Sequence, residues 1–298
     1  MKINVYTLNS FAKTKEGGNP AGVVMNADSL SEEEMRKISA VLGFSETAFV
    51  LQSNAADFKV RFFTPNEEVD LCGHATIATF YAMSSLNLLK QGKYKQETRA
   101  GILGIEIHND NFVMMDQSIP VFSEVIDKNE VADSLNISTS QITEDLLVQV
   151  VSTGLRDIMV PVRNIEILDA IRPDMKKVKE ISQKYNVVGY HVFSLKSLHG
   201  ANAYCRNFAP LYGIPEESAT GTSSGALGCY LYHYGKINED QASNIIFEQG
   251  YSMKRPSEIR VSLAIKENKI SEVKVGGRGM NLTLTYISEN SPTSKVVG

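Results

Sequence analysis

The sequence predicts a mixed α/β fold built as two similar halves. The chain has 298 residues, 43% of them hydrophobic and 21% charged, which is ample for two hydrophobic cores. Strand-like and helix-like segments follow one another in the same order twice. In each half a strand ends in Phe-x-Pro, at Phe63-Thr64-Pro65 and at Phe208-Ala209-Pro210. A loop of acids and glycine follows, and then a buried helix. The halves are expected to part near Ser118-Ile119-Pro120, as domains 1–118 and 119–281, with the last strand near 282–287 returning to the first.

Residues 1–8 alternate with a period of two and read as a strand. After the Lys15 to Pro20 turn a short apolar strand covers 21–25. Ser29 or Ser31 can cap a helix over 32–41, whose first turn holds Glu32, Glu33 and Glu34, where the helix dipole favours acids. Strands follow at 46–51 and 58–63, then a loop at 70–74, an apolar helix-length segment at 75–89 and strands across 101–115. In the second half 154–162 reads as a strand and 175–185 as an amphipathic helix, with Met175, Val178 and Ile181 on one face. Strands at 187–195 and 201–208 lead to a Gly-rich loop at 217–225 and an apolar helix at 226–234. A hairpin of 259–265 with 269–275 and a strand at 282–287 complete the pattern, and the tail from Ser288 is expected to fray.

The net charge of −4 offers no basic field for a phosphate backbone, which argues against nucleic acid. No apolar run approaches the roughly 20 residues that span a bilayer. The first seven residues lack the basic start and apolar stretch of a signal peptide. The three cysteines, Cys72, Cys205 and Cys229, show no zinc-like spacing, and so sparse and odd a count fits a reducing cytoplasm.

Two loops place glycine just before an apolar helix, at Gly73 and Gly221. Small residues let a ligand approach the backbone, and the unpaired N–H groups of a first helical turn attract an anion. From spacing alone, glycine there is equally a turn device. Glu46, at the head of an apolar strand, is a candidate proton-transferring acid if burial raises its pKa. A solvated strand-end acid fits the same spacing. His74 can orient a carboxylate but has no second histidine at metal-binding spacing. Cys72, beside a helix start, is either a thiolate or a small buried filler. Ser45, Thr76, Thr222, Ser223 and Ser224 supply hydroxyls without a Ser-His-Asp order, and Gly276-Gly277-Arg278-Gly279 lacks the ending of a phosphate loop.

Several stretches, in order over nearly the whole chain, carry a resemblance. They are Gly18-Asn19-Pro20-Ala21-Gly22-Val23-Val24, Gly43-Phe44-Ser45-Glu46-Thr47-Ala48-Phe49-Val50, Arg61-Phe62-Phe63-Thr64-Pro65 and Glu68-Val69-Asp70-Leu71-Cys72-Gly73-His74-Ala75-Thr76. The second half adds Arg206-Asn207-Phe208-Ala209-Pro210, Gly213-Ile214-Pro215-Glu216-Glu217, Ala219-Thr220-Gly221-Thr222 and Val275-Gly276-Gly277. Together they resemble the phenazine-biosynthesis isomerase-like family, a branch of the diaminopimelate-epimerase-like fold. The resemblance implies two pseudo-symmetric domains, each a curved mixed sheet around a central helix, with the site in the cleft between them.

It further implies cofactor-free and metal-free acid/base chemistry on a small carboxylated metabolite by a cytoplasmic homodimer. By motif position Glu46 matches the family's proton-transferring carboxylate and His74 its substrate-positioning histidine. Asn19, Ser45, Gly73, Glu217, Gly221 and Thr222 fall at substrate-binding positions. Glu217 stands where aspartate is usual, Ser218 where proline is usual and Thr222 where serine is usual, which leaves the substrate open. Related epimerases and racemases use one cysteine per domain. Cys72 occupies the first such position and Thr222 stands near the second, which argues against two-thiol racemisation. The resulting expectation is an isomerase, with an epimerase or racemase and a non-catalytic metabolite-binding protein as the alternatives.

Overall fold

Some strands, such as Lys2–Ser10 and Ser257–Lys266, alternate buried and less buried residues, others, such as Gly189–Ser194 and Ala203–Ala209, are buried throughout, and two almost continuously buried segments make the helices they wrap. The computed structural model describes residues 2–288. They form two units, residues 2–116 with 276–288, and residues 117–275. The first unit runs through β1 (Lys2–Ser10), β2 (Asn19–Val24), α1 (Glu32–Leu42), β3 (Thr47–Leu51), β4 (Phe58–Phe63), β5 (Glu68–Val69), α2 (Gly73–Ser85), β6 (Gly92–Thr98), β7 (Gly101–Ile107) and β8 (Val113–Gln117). The second runs through β9 (Val121–Val125), α3 (Lys128–Ser134), β10 (Gln149–Ser152), β11 (Arg156–Pro161), α4 (Ile165–Ala170), α5 (Met175–Lys184), β12 (Gly189–Ser194), β13 (Ala203–Ala209), β14 (Ile214–Glu217), α6 (Gly221–His233), α7 (Glu239–Ala242), β15 (Ile245–Gln249), β16 (Ser257–Lys266) and β17 (Lys269–Gly277). The chain then returns to the first unit as β18 (Gly279–Ser288).

The strands of each unit pair in one repeated pattern. In the first unit β18–β1 and β1–β2 are antiparallel, β2–β3 parallel, β3–β4 antiparallel, β4–β6 parallel and β6–β7 antiparallel. In the second the same senses recur through β9–β10, β10–β11, β11–β12, β12–β13, β13–β15 and β15–β16. Even an ion pair repeats. Arg61 donates from Nε and Nη2 to the Glu68 carboxylate at 2.8 and 2.6 Å, and Arg206 does the same to Glu216, both at 2.8 Å. Each guanidinium lies over the phenylalanine two residues on, Phe63 or Phe208.

Each sheet has two covered faces. In the first unit Ala75, Ala78 and Ala82 of α2 pack on Leu8, Ala21, Val23, Ala48, Val60 and Phe62. On the other face Met35 and Ile38 of α1 meet Val5, Val24, Phe49 and Phe63. In the second unit Val131, Leu168, Val178 and Ile181 from α3, α4 and α5 cover Val150, Ile158, Val192 and Phe208. The central helices α2 and α6 are buried almost all round, so their sequences lack the polar stripe of a surface helix. No helix among the described residues is long and apolar enough to cross a membrane.

Several elements depart from expectation. The helix expected from 226 starts at Gly221, so Thr222 to Gly225 belong to its first turns rather than to a loop. Its small residues are imposed by the tight fit: a Cβ on Gly225 would stand 2.1 Å from Gln117 Oε1, and one on Gly228 would stand 2.8 Å from Val261 Cγ1. The helix expected at 75–89 spans Gly73–Ser85. Strands β6, β9, β10 and β15 and helices α3 and α4 were not expected, because their apolar residues are too few or too short a run to show a period. Past Ser288, the expected frayed tail lies outside the described residues.

Candidate functional site

In the first unit three local structures bring their side chains to one imidazole. Helix α1 stops at Gly43, whose left-handed φ of 66° turns the chain and sends Phe44-Ser45-Glu46 into β3. Strand β2 opens at Asn19, which is buried. Cys72 is the N-cap of α2, and His74 is the second residue of the helix. The Ser10 hydroxyl donates to the His74 carbonyl at 2.7 Å and pins that turn to the end of β1.

His74 is 5% exposed. Its Nδ1 lies 3.3 Å from Asn19 Nδ2 and 3.5 Å from Cys72 Sγ. Its Nε2 lies 3.4 Å from Ser45 Oγ and 3.3 Å from Glu46 Oε2. Burial lowers the imidazole's pKa, and the Glu46 charge opposes this less strongly. The ring is therefore neutral near pH 7. With the Asn19 amide donating to Nδ1, the ring hydrogen sits on Nε2, facing Ser45 and Glu46. Glu46 is 14% exposed, and its Oε2 is buried without a hydrogen-bond partner. The 3.3 Å approach of Oε2 to His74 Nε2 lacks hydrogen-bond alignment.

Glu46, Cys72 and His74 also place a carboxylate oxygen, a sulfur and an imidazole nitrogen within 4.8 Å of one another. This donor set can ligate a borderline cation such as zinc. Cys72 caps α2 without a side-chain hydrogen bond to the first turn, and that turn holds no acid. Its N–H groups and the helix dipole are thus disposed to an anion.

The second unit carries Glu217, Gly221 and Thr222. Thr220 is the N-cap of α6 and, like Cys72, makes no side-chain hydrogen bond to the turn. Its hydroxyl instead donates to Glu217 at 2.6 Å. The Gln249 amide spans the corner, donating to the Glu217 carbonyl at 2.8 Å and accepting from the Thr220 N–H at 3.1 Å. Thr153 holds the first turn by donating to the Thr222 carbonyl at 3.2 Å. The counterpart of Cys72 is therefore Thr220, two residues before Thr222, and it is a hydroxyl.

The structure thus brings Asn19, Ser45, Glu46, Gly73 and His74 together in one unit, and Glu217, Gly221 and Thr222 in the other. Ser10, Thr153 and Gln249 were missed. Each is a lone polar residue in a strand or turn, and nothing in its neighbours marks it.

Two repeated sheet-and-helix units, one holding an acid beside a neutral histidine, are an arrangement suited to proton transfer. The model of the phenazine biosynthesis-like protein family matches residues 8–283. An uncharacterized isomerase of Clostridium acetobutylicum is 37% identical over 97% of this chain and 98% of its own. The trans-2,3-dihydro-3-hydroxyanthranilate isomerase of Pseudomonas fluorescens is 28% identical over 93% of this chain and 96% of its own. The crystal structure of a Bacillus anthracis phenazine biosynthesis protein superposes with a TM-score of 0.88 at 30% identity, covering 97% of this chain and 99% of that one. The chain belongs to the phenazine biosynthesis-like protein family. It is an enzyme of the isomerase type.

Proposed function

We propose that the enzyme moves a proton within a small carboxylated substrate, without a cofactor, and that Glu46 carries the proton. The observation that carries this reading is the buried, partnerless Oε2 of Glu46 beside a neutral His74. A carboxylate oxygen with an unused lone pair can accept a proton from carbon. As that C–H bond breaks, its electron pair shifts the substrate's double bond. Glu46 then returns the proton to another atom, so no electrons are gained or lost overall. Ser45 and the Nε2 hydrogen of His74 hold the substrate against Glu46, and Asn19 fixes the ring that presents that hydrogen.

In the first unit the first turn of α2, at Gly73, supplies N–H groups for carboxylate oxygens. In the second unit the first turn of α6, at Gly221-Thr222, offers N–H groups of the same kind beside Glu217. The substrate class is a cyclic hydroxy acid or amino acid, by analogy with the compound for which the Pseudomonas fluorescens relative is named. We assign the enzyme to the cytoplasm as a homodimer, without nucleic-acid or membrane partners. The sparse, odd count of three cysteines and the net charge of −4 support that setting.

A second reading, epimerisation, is favoured by Cys72 at 3.5 Å from His74 and opposed by Thr220 at the matching cap. Deuterium uptake from solvent by a panel of cyclic hydroxy acids and amino acids separates the two. A shifted double bond marks the isomerase, and inversion without a shift marks the epimerase. Glu46→Gln should bind the accepted substrate nearly as wild type does while exchange falls by about 10²–10⁴-fold. Full exchange in Glu46→Gln would remove Glu46 from the chemistry.

A further inference from the structure

The internal repeat exposes four residues that break it. Thr47 stands opposite Phe63, and Tyr190 stands opposite Phe208. From this register Ala48 corresponds to His191 and Phe62 to Asn207. The parallel neighbours then make Ala21 the counterpart of Asp157. The aligned helix starts make Ala75 the counterpart of Ser223. In the first unit these four residues are apolar and pack in one cluster under α2. In the second all four are polar, and none is more than 1% exposed.

They form one chain of contacts. Ser223 donates to Asp157 Oδ2 at 2.6 Å, Asn207 Nδ2 donates to Ser223 Oγ at 3.2 Å, and the same nitrogen lies 3.3 Å from His191 Nδ1. Asp157 Oδ1 and His191 Nε2 are left buried without hydrogen-bond partners. A half-satisfied buried polar network costs stability that the apolar set in the first unit does not. A role other than packing accounts for it.

Its placement indicates that role. Ser223 is the third residue of α6, so the Asp157 carboxylate lies against the first turn of the helix, whose N–H groups have no intrahelical partners. Around Asp157, β10 presents Val151, β12 presents Gly189 and His191, β13 presents Asn207 and α6 presents Ser223. Burial pushes the carboxyl up to about 6, with Ser223 and the Gly189 N–H pulling the other way. Burial holds His191 down to about 3, so it carries no charge to offset the acid near neutrality.

We infer that Asp157 is a positioning residue whose charge, set against the first turn of α6 through Ser223, governs how strongly that turn holds an anion. The inference rests on reading that turn as an anion site. An ionised Asp157 occupies the positive end of the helix dipole from within and weakens an external anion there, and a protonated Asp157 does not.

The test is amide NMR of the full chain titrated with inorganic sulfate, whose charge is constant between about pH 5 and about pH 8. In wild type the dissociation constant read at the amides of residues 221–224 should be about fivefold higher at the upper pH, the size of one helix-end charge effect. Asp157→Asn should bind equally well at both, at the tighter value. Ser223→Ala removes a donor from the charged carboxylate, so it should move the midpoint upward, which keeps the inference testable if Asp157→Asn fails to fold. Equal sulfate affinity at both pH values in wild type, unchanged pH dependence in Asp157→Asn, or an unmoved midpoint in Ser223→Ala would overturn the role of Asp157 alone. Sulfate that shifts none of these amides at either pH would overturn the anion site itself, and the inference with it.

Discussion

Folding of the second unit is expected to move a proton from an imidazole to a carboxyl group near pH 5, which has a measurable signature. In an unfolded chain near pH 5 a histidine is protonated and an aspartate is not. In the folded unit His191 is held down to about 3 and Asp157 is pushed up to about 6, so the order reverses. For Asp157 the folded state keeps a proton that the unfolded state has lost, between about pH 4 and about pH 6. Its contribution is full at low pH and is lost as pH rises through that window. For His191 the unfolded state holds the extra proton, so its contribution is full above about pH 6.5 and is lost as pH falls toward about 3. Each slope is about 1.4 kcal/mol per pH unit, and the signs are opposite, so the two cancel between about pH 4 and about pH 6. Single substitutions unmask them. Relative to wild type, Asp157→Asn should gain about 3 kcal/mol of stability from about pH 4 to about pH 6, and His191→Asn should lose about as much. Urea unfolding followed by far-UV circular dichroism measures both, since the chain has no tryptophan. Differences of the same sign for the two variants, or differences that do not vary with pH, would refute the proton transfer.

Cys72→Ala should reduce solvent exchange into substrate by less than the roughly 10²-fold floor expected for Glu46→Gln, because Thr220 offers no second thiol; deuterium uptake by the two variants compares them. Gly189→Ala should destabilise the protein by about 3 kcal/mol or more, since its Cβ would stand 2.0 Å from the Phe208 carbonyl oxygen, a backbone atom. Gly104→Ala, whose Cβ would meet the movable Asp116 carboxylate at 2.1 Å, should cost far less; thermal melts separate the pair. Glu216→Gln should cost about 1.5–3 kcal/mol, because Arg206, 6% exposed, loses the carboxylate and keeps the Leu168 and Ile171 carbonyls, whereas Glu68→Gln should cost less because Arg61 is 21% exposed and keeps Glu32 at 2.7 Å. Urea titration checks the ranking.

How much of this was legible depended on the range of the signal. Helix α1 was legible because its capping box, Ser31 with Glu34, lies within the segment it caps. Strand β6 was not: its inward positions include the polar Gln96 and Thr98, so no apolar alternation shows, and the strand owes its place to pairing with β4 and β7. The first turns of α6 read as a loop because Gly-Thr-Ser-Ser-Gly has poor helix propensity, which burial within the sheet overrides. Glu46 and His74 stand 28 residues apart, and spacing alone could not join them; resemblance named both, and the geometry supplied the contact. The network of Asp157, His191, Asn207 and Ser223 had no local mark at all. It became visible only when the two units' registers were set side by side.

The pairing of β18 with β1 also constrains how the protein is made. Residue 2 emerges from the ribosome long before its neighbour in the sheet, residue 288, has been translated. At some 5–20 residues per second the first strand keeps an open edge for about 14 to 57 s. Residues 117–275 form an uninterrupted segment and have no such wait. The segment synthesised second is therefore free to fold first, and the nascent first unit presents an edge at β1 to other chains throughout the delay. The polar Lys2, Asn4 and Thr7 along that strand are the residues that guard it, and chaperone demand during synthesis should rise when they are made apolar.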